Sequence, residues 1–288
     1  MYNHKLHIYS VFTALCTLFL IFAGGLVTST GSGLSVPDWP LSYGKFFPPM
    51  IGGIRFEHSH RVIAGSVGLL TLALTIWIFR VDKRRWFKWL GVGASLMVLT
   101  QAILGGLTVK FLLPTPISVG HACLGQTFFV LVSLIALFSS KEWMTAPSSP
   151  DPKAHKIQRL YATLFFFVYA QLVAGAIVRH TSGKGVIVHI FIALMVFIHT
   201  AFIPSRISTT DATREKFLGY TTTLGIFVLA QILLGFAAYS LKYLSPSSMR
   251  LNTPEILLAT LHQTNGAVIL GLSALLTARA FRLISKPA

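Results

Sequence analysis

The sequence predicts an all-α integral membrane protein whose eight transmembrane helices form two pseudo-symmetric four-helix bundles. Three observations predict it. Of 288 residues, 53% are hydrophobic and only 11% charged, where a soluble domain carries about a quarter charged residues. That much apolar sequence cannot hide in one soluble core, so part of its solvent must be lipid. Apolar runs of about 18–25 residues, long enough to span hydrocarbon, occur eight times along the chain. A Gln-x-x-x-Gly frame returns in the odd runs, and a histidine followed four residues later by a small residue returns in the even ones.

In order, the runs cover about 7–27, 59–79, 87–109, 119–138, 158–178, 186–203, 217–240 and 256–278. The first follows Met1–Lys5. It is too long for a signal-peptide core and no small-x-small site follows it, so it reads as a membrane helix. Loop 28–57 contains Gly31-Ser-Gly-Leu-Ser-Val-Pro-Asp-Trp-Pro40 and reads as a chain of turns. Loop 139–157 contains Pro147-Ser-Ser-Pro-Asp-Pro152. It divides the chain into an N-terminal half, 1–140, a cytoplasmic linker, 141–157, and a C-terminal half, 158–288.

Lys and Arg set the orientation. Of 24, 16 lie in the N-terminus, the even loops and the C-terminus. The other 8, Lys242 and Arg250 among them, lie in the odd loops. The positive-inside rule then puts both termini in the cytoplasm of a cell whose inner membrane the chain crosses. The net charge of +16 is not the footprint of a nucleic-acid binder, because the basic residues sit in short loops and form no stripe or arm. Cys16 and Cys123 fall inside apolar runs and make no CxxC, which argues against a zinc site or redox dithiol.

The odd runs carry Gln101-Ala-Ile-Leu-Gly105, Gln171-Leu-Val-Ala-Gly175 and Gln231-Ile-Leu-Leu-Gly235, while the first run has Gly24-Gly25 at matching depth and no glutamine. The even runs carry His60 with Ala64, His121 with Gly125, His189 with Ala193 and His262 with Gly266. A residue at i+4 lies one turn away on the same face, so a small one leaves a flat slot beside the imidazole. All four histidines fall in the first third of an even run, hence in the outer half of the membrane. A polar residue in lipid is a functional candidate. Zinc or copper wants three or four converging ligands. One histidine on each alternate helix instead gives two facing imidazoles per half, which suits the two axial positions of haem iron. Two sites follow, His60 with His121 and His189 with His262. His199 has no counterpart in the other even runs and reads as a packing or hydrogen-bonding residue. Glu57 stands one turn before His60, where a carboxylate can position water or move protons. Arg61, Arg55, Arg179 and Lys184 lie where haem propionates would need cations.

Gly24-Gly-Leu-Val-Thr-Ser-Thr-Gly-Ser-Gly-Leu34, Pro37-Asp-Trp-Pro40 and Glu57-x-x-His60-Arg61, together with His121, His189 and His262, resemble the haem A synthase family over nearly the whole chain. The resemblance implies oxidation of the methyl group of haem O to the formyl group of haem A for terminal oxidase biogenesis. It implies a substrate haem at His60 and His121, a resident haem B at His189 and His262, and a catalytic role for Glu57 with those two first-half histidines. Arg61, Gly125 and Gly266 would line the cofactor sites. The implied partners are haem O synthase as substrate donor, an electron acceptor or donor, the bilayer and further copies of the chain; no nucleic acid is implied. Many bacterial members carry a cysteine pair flanking the Pro-Asp-Trp-Pro segment, where this chain has Val36 and Ser42. The rival reading is a bis-histidine di-haem electron carrier, which would want haems at both depths of the membrane. A haem-delivery protein without turnover would not need Glu57, and a transporter would want a broken helix or midplane acid.

Overall fold

The computed structural model describes residues 2–207, 210–244 and 253–287; Arg250 lies outside them. Among the described residues, eight helices are long and apolar enough to cross a membrane. They are α1 (His4–Ser29), α2 (Ile54–Val81), α3 (Arg85–Lys110), α4 (Thr115–Phe138), α6 (Ala154–His180), α7 (Val186–Ile207), α8 (Asp211–Tyr239) and α9 (Thr253–Leu283), with a short α5 (Lys141–Thr145) between α4 and α6. A π-turn, Ser240–Leu244, extends α8. Each expected span lies within one helix, and most helices run a turn further because polar capping residues continue them past the apolar run. The Asn3 side chain accepts from the Leu6 amide at the start of α1, and the Thr210 hydroxyl accepts from the Thr213 amide at the start of α8. Arg80 closes α2 and Lys110 closes α3, cations at the negative end of each helix dipole.

Hydroxyls inside the spans are returned to their own helices. Ser10, Thr13, Thr17 and Thr71 each donate to the carbonyl four residues back. In hydrocarbon there is no water to do this, so the backbone must.

Along the chain, α1 packs on α2, α2 on α3, α3 on α4, and α4 returns to α1. Likewise α6 packs on α7, α7 on α8, α8 on α9, and α9 returns to α6. The two rings meet where α9 touches α1 and α4, and where α4 touches α6. At this seam Gly271 of α9 faces the Phe129 ring of α4, so close that a Cβ would stand 2.9 Å from it. Small residues permit this approach between membrane helices. The far faces of α2, α7 and α8 show large apolar side chains such as Leu69, Ile187 and Phe236, as lipid contact requires.

The linker 141–157 is folded onto the chain's C-terminal part. Ser149–Pro150 pairs in parallel with Ile284–Ser285. Asp151 is fully buried and accepts from the Lys153 amide and the Thr213 hydroxyl. Arg279 of α9 pairs with Glu142 of α5.

Candidate functional site

Four histidine rings lean on four glycines, each on the preceding long helix. A Cβ on Gly24 would stand 3.0 Å from His60 Cε1, on Gly105 3.5 Å from His121, on Gly175 3.0 Å from His189 and on Gly235 2.7 Å from His262. The Gln-x-x-x-Gly frame, and Gly24 in the first span, therefore mark where each odd-numbered span receives the imidazole of its neighbour. These glycines seat the ligand-type residues themselves.

His189 and His262 face each other with ring centroids 6.3 Å apart and planes at 68°. Two imidazoles sharing one metal, at about 2 Å per bond plus about 1.1 Å from nitrogen to ring centre, need roughly this centroid separation. Among the described residues no group of three or more His, Cys, Asp or Glu side chains converges as a metal site. Two facing imidazoles with no third protein ligand fit a haem, whose macrocycle supplies the remaining iron ligands. His60 and His121 make no comparable ring contact. Their Nδ1 atoms are buried without a partner, as is that of His189.

The glutamines of the frame reach these rings, a contact the spacing alone did not reveal. Gln171 Nε2 lies 3.1 Å from His189 Nε2, and Gln231 Nε2 lies 3.4 Å from His262 Nε2. His262 Nδ1 donates to the Gln231 carbonyl at 3.1 Å. Asn265, one turn along α9 and also missed in the sequence, donates to Gln231 Oε1 at 2.7 Å. In α3, Gln101 Nε2 donates instead to the His121 carbonyl at 3.0 Å. The slots expected beside His121 and His262 hold these amides. A Cβ on Gly125 would lie 3.6 Å from Gln101 Nε2, and one on Gly266 3.2 Å from Gln231 Nε2.

Glu57 lies in the first turn of α2 and is 4% exposed. Its carboxylate accepts from the Val36 amide at 2.8 Å and from Arg61 Nη2 at 2.5 Å. Arg61 also donates to the carbonyls of Asp38 (2.6 Å), Leu41 (2.7 Å) and Val36 (3.2 Å). The guanidinium expected at a propionate is thus committed to the loop between α1 and α2. Ser42 Oγ bonds His58 Nδ1 at 2.8 Å, so both places where many members carry cysteine are tied by hydrogen bonds. Asp38 accepts from the amides of Tyr43 and Gly44 at 2.6 and 2.8 Å. The Gly44 amide first, then that of Tyr43 and the Arg61 charge, holds its carboxyl below the usual range despite partial desolvation. The Trp39 indole lies over Gly106, where a Cβ would come within 2.9 Å, next to the glycine that seats His121.

The other candidates are structural. His199 Nε2 bonds the Leu160 carbonyl at 2.9 Å. His7 Nδ1 lies 3.0 Å from the Ala136 carbonyl. Arg179 donates to Ser29 at 2.6 Å beside a cavity of about 140 Å³ that Lys242 and Glu255 also line.

The chain is 33% identical over 192 residues to heme A synthase of Alkalihalophilus pseudofirmus, covering 63% of this chain and 62% of that protein. It is 31% identical over 184 residues to heme A synthase of Bacillus licheniformis, with 63% and 61% covered, and 34% over 184 residues to that of Bacillus pumilus, with 62% and 60% covered. The matches span about three fifths of the length of these relatives. Residues 7–52 and 54–189 match the profile of the cytochrome oxidase assembly protein family, and over that majority of its length the chain belongs to this family.

Proposed function

We propose that this protein oxidises the methyl group of haem O to the formyl group of haem A for terminal oxidase biogenesis. The observation that carries a haem reading is the His189–His262 pair, facing at 6.3 Å in a chain whose matched relatives are heme A synthases. In this reading the two helix rings are pseudo-symmetric halves with unlike sites. His189 and His262 hold a resident haem B, and His60 and His121 hold haem O during turnover. When bound, the resident haem supplies one-electron chemistry. The chain's own residues hold the imidazoles against glycine backbones and close the first site with the Trp39 loop. Glu57, with Arg61, fixes that loop. Haem O synthase would deliver substrate, dioxygen with an electron donor or water with an electron acceptor would supply the formyl oxygen and balance the electrons, and the chain would sit in the cell inner membrane with both termini cytoplasmic.

The di-haem electron carrier is the second reading. The burial of His60, His121, His189 and His262 near the same ends of parallel helices disfavours a path across the whole bilayer. Haem extraction from protein made in cells that also produce haem O separates the two. Haem A or a hydroxylated haem beside haem B is expected; haem B alone at two per chain would favour the carrier. His60→Ala or His121→Ala should stop turnover while the second-half haem stays, and loss of all haem from either would contradict the two-site assignment. His189→Ala or His262→Ala should remove the resident haem.

A further inference from the structure

The same imidazole nitrogen cannot serve two partners. His262 Nδ1 faces a carbonyl, the Gln231 oxygen at 3.1 Å, which can only accept, so Nδ1 carries the proton and Nε2 carries the lone pair. The partner of that lone pair is the Gln231 amide nitrogen at 3.4 Å. Its orientation is fixed independently, because Asn265 Nδ2 donates to Gln231 Oε1 at 2.7 Å and to the Phe227 carbonyl at 3.0 Å. Every donor in this chain meets an acceptor. Gln171 Nε2 lies 3.1 Å from His189 Nε2, but Gln171 Oε1 and His189 Nδ1 are both buried and unpartnered, so no second contact fixes the amide there as Asn265 does at Gln231. A metal binding between the two rings would need both of these lone pairs.

The first half is built differently. The first span has Gly24-Gly25 and no glutamine at this depth. Gln101 donates to the His121 backbone carbonyl and to no ring atom. Neither His60 nor His121 has a side-chain amide on its ring among the described residues.

We propose that Gln171 and Gln231 are positioning residues that compete with the metal for the Nε2 lone pairs of His189 and His262. They hold the two rings at ligating separation and slow the loading of the second site, whereas the first site, with no amide on its rings, loads without that competition. This rests on the two-site reading above. It assigns a difference in loading between the two sites to two amides, and Asn265 makes Gln231 the firmer of the two.

The test uses the full-length chain carrying His60→Ala and His121→Ala, purified in detergent from haem-starved cells, so that one site remains. Haem B is added and growth of the low-spin bis-histidine Soret band is followed. Gln231→Met and Gln171→Met, close in volume but with no donor, should each load about fivefold faster, the factor a neutral hydrogen bond contributes. In the same background Gln101→Met should load at the parent rate. Loading at or below the parent rate in both glutamine variants overturns the proposal, since a packing role would only weaken the site. No low-spin band in the parent itself would instead overturn the two-site reading. A second measurement needs no variant of the glutamines. In the haem-free unsubstituted chain labelled with 15N-histidine, His189 and His262 Nε2 should resonate as hydrogen-bonded acceptors and those of His60 and His121 as free ones. Free acceptor shifts at all four would overturn the proposal even if the methionine variants aggregate.

Discussion

At Gly235 a Cβ would stand 2.7 Å from His262 Cε1, at Gly24 and Gly175 3.0 Å from theirs, and at Gly105 3.5 Å. The last is an ordinary van der Waals distance and the others are not, so alanine should act in that order. Each ring is the end of a side chain and can swing, so the cost should fall on ligand geometry more than on folding. Low-spin haem content is expected to drop most in Gly235→Ala, less in Gly24→Ala and Gly175→Ala, and hardly at all in Gly105→Ala. Equal spectra across the four would show that the glycines serve helix packing alone. Glu57 makes a separate residue-scale prediction. Its carboxylate and Arg61 are a buried pair, with side chains 5% and 14% exposed, and removing one partner of such a pair costs on the order of 3 kcal/mol. Glu57→Ala and Arg61→Ala should therefore loosen the loop after α1 alike, read by protease cleavage between Val36 and Gly44, and lower haem O turnover alike. Turnover that survives in Arg61→Ala and vanishes in Glu57→Ala would give the carboxylate a direct role in proton movement.

Among the elements, the long helices were readable from sequence because hydrocarbon demands a run of apolar residues that nothing else produces. The loop between α1 and α2 was readable only as turns. Its restraints are bonds between residues far apart in sequence, Val36 to Glu57 and Arg61 to Asp38 and Leu41, and no period announces them. The same holds for the linker, whose Ser149–Pro150 pairs with Ile284–Ser285 across most of the second half. The four glycine-seated histidines were readable because they repeat; Asn265 was not, because it occurs in one half alone. The loop should also respond to acid. Asp38 has its carboxyl held low by the Gly44 and Tyr43 amides, so its contribution is complete above the unfolded carboxylate pKa of about 3.9 and is lost as pH falls through the lower folded value. Amide exchange at Tyr43 and Gly44 should be flat from neutral pH down to about 5, after correction for intrinsic rates, and should rise below about 4. Asp38→Ala should abolish that rise by exposing both amides at every pH; an unchanged profile would remove Asp38 from the loop's support.

Over the whole molecule, α4 and α9 are the most enclosed spans, and each carries one of the four histidines, His121 and His262. They touch each other directly, with Gly271 against the Phe129 ring and Ile21 and Ala267 closing a small apolar cluster beside them. The seam therefore joins a helix of each histidine pair. A leucine at Gly271 has no space to enter, because even a Cβ would lie 2.9 Å from a ring that Ile21 and Ala267 hold in place. Overpacking of this kind costs about 1–3 kcal/mol, and here it would act by separating α4 from α9. Gly271→Leu is expected to lower the thermal midpoint in detergent and to weaken haem retention at both histidine pairs. Gly225 on α8 has nothing within 4 Å of a built Cβ, so Gly225→Ala is expected to leave both unchanged. Gly175→Ala, inside the second half, should disturb the second pair alone. If Gly271→Leu weakened only one pair, the α4–α9 seam would not couple the two rings, and each half would hold its histidines independently of the other.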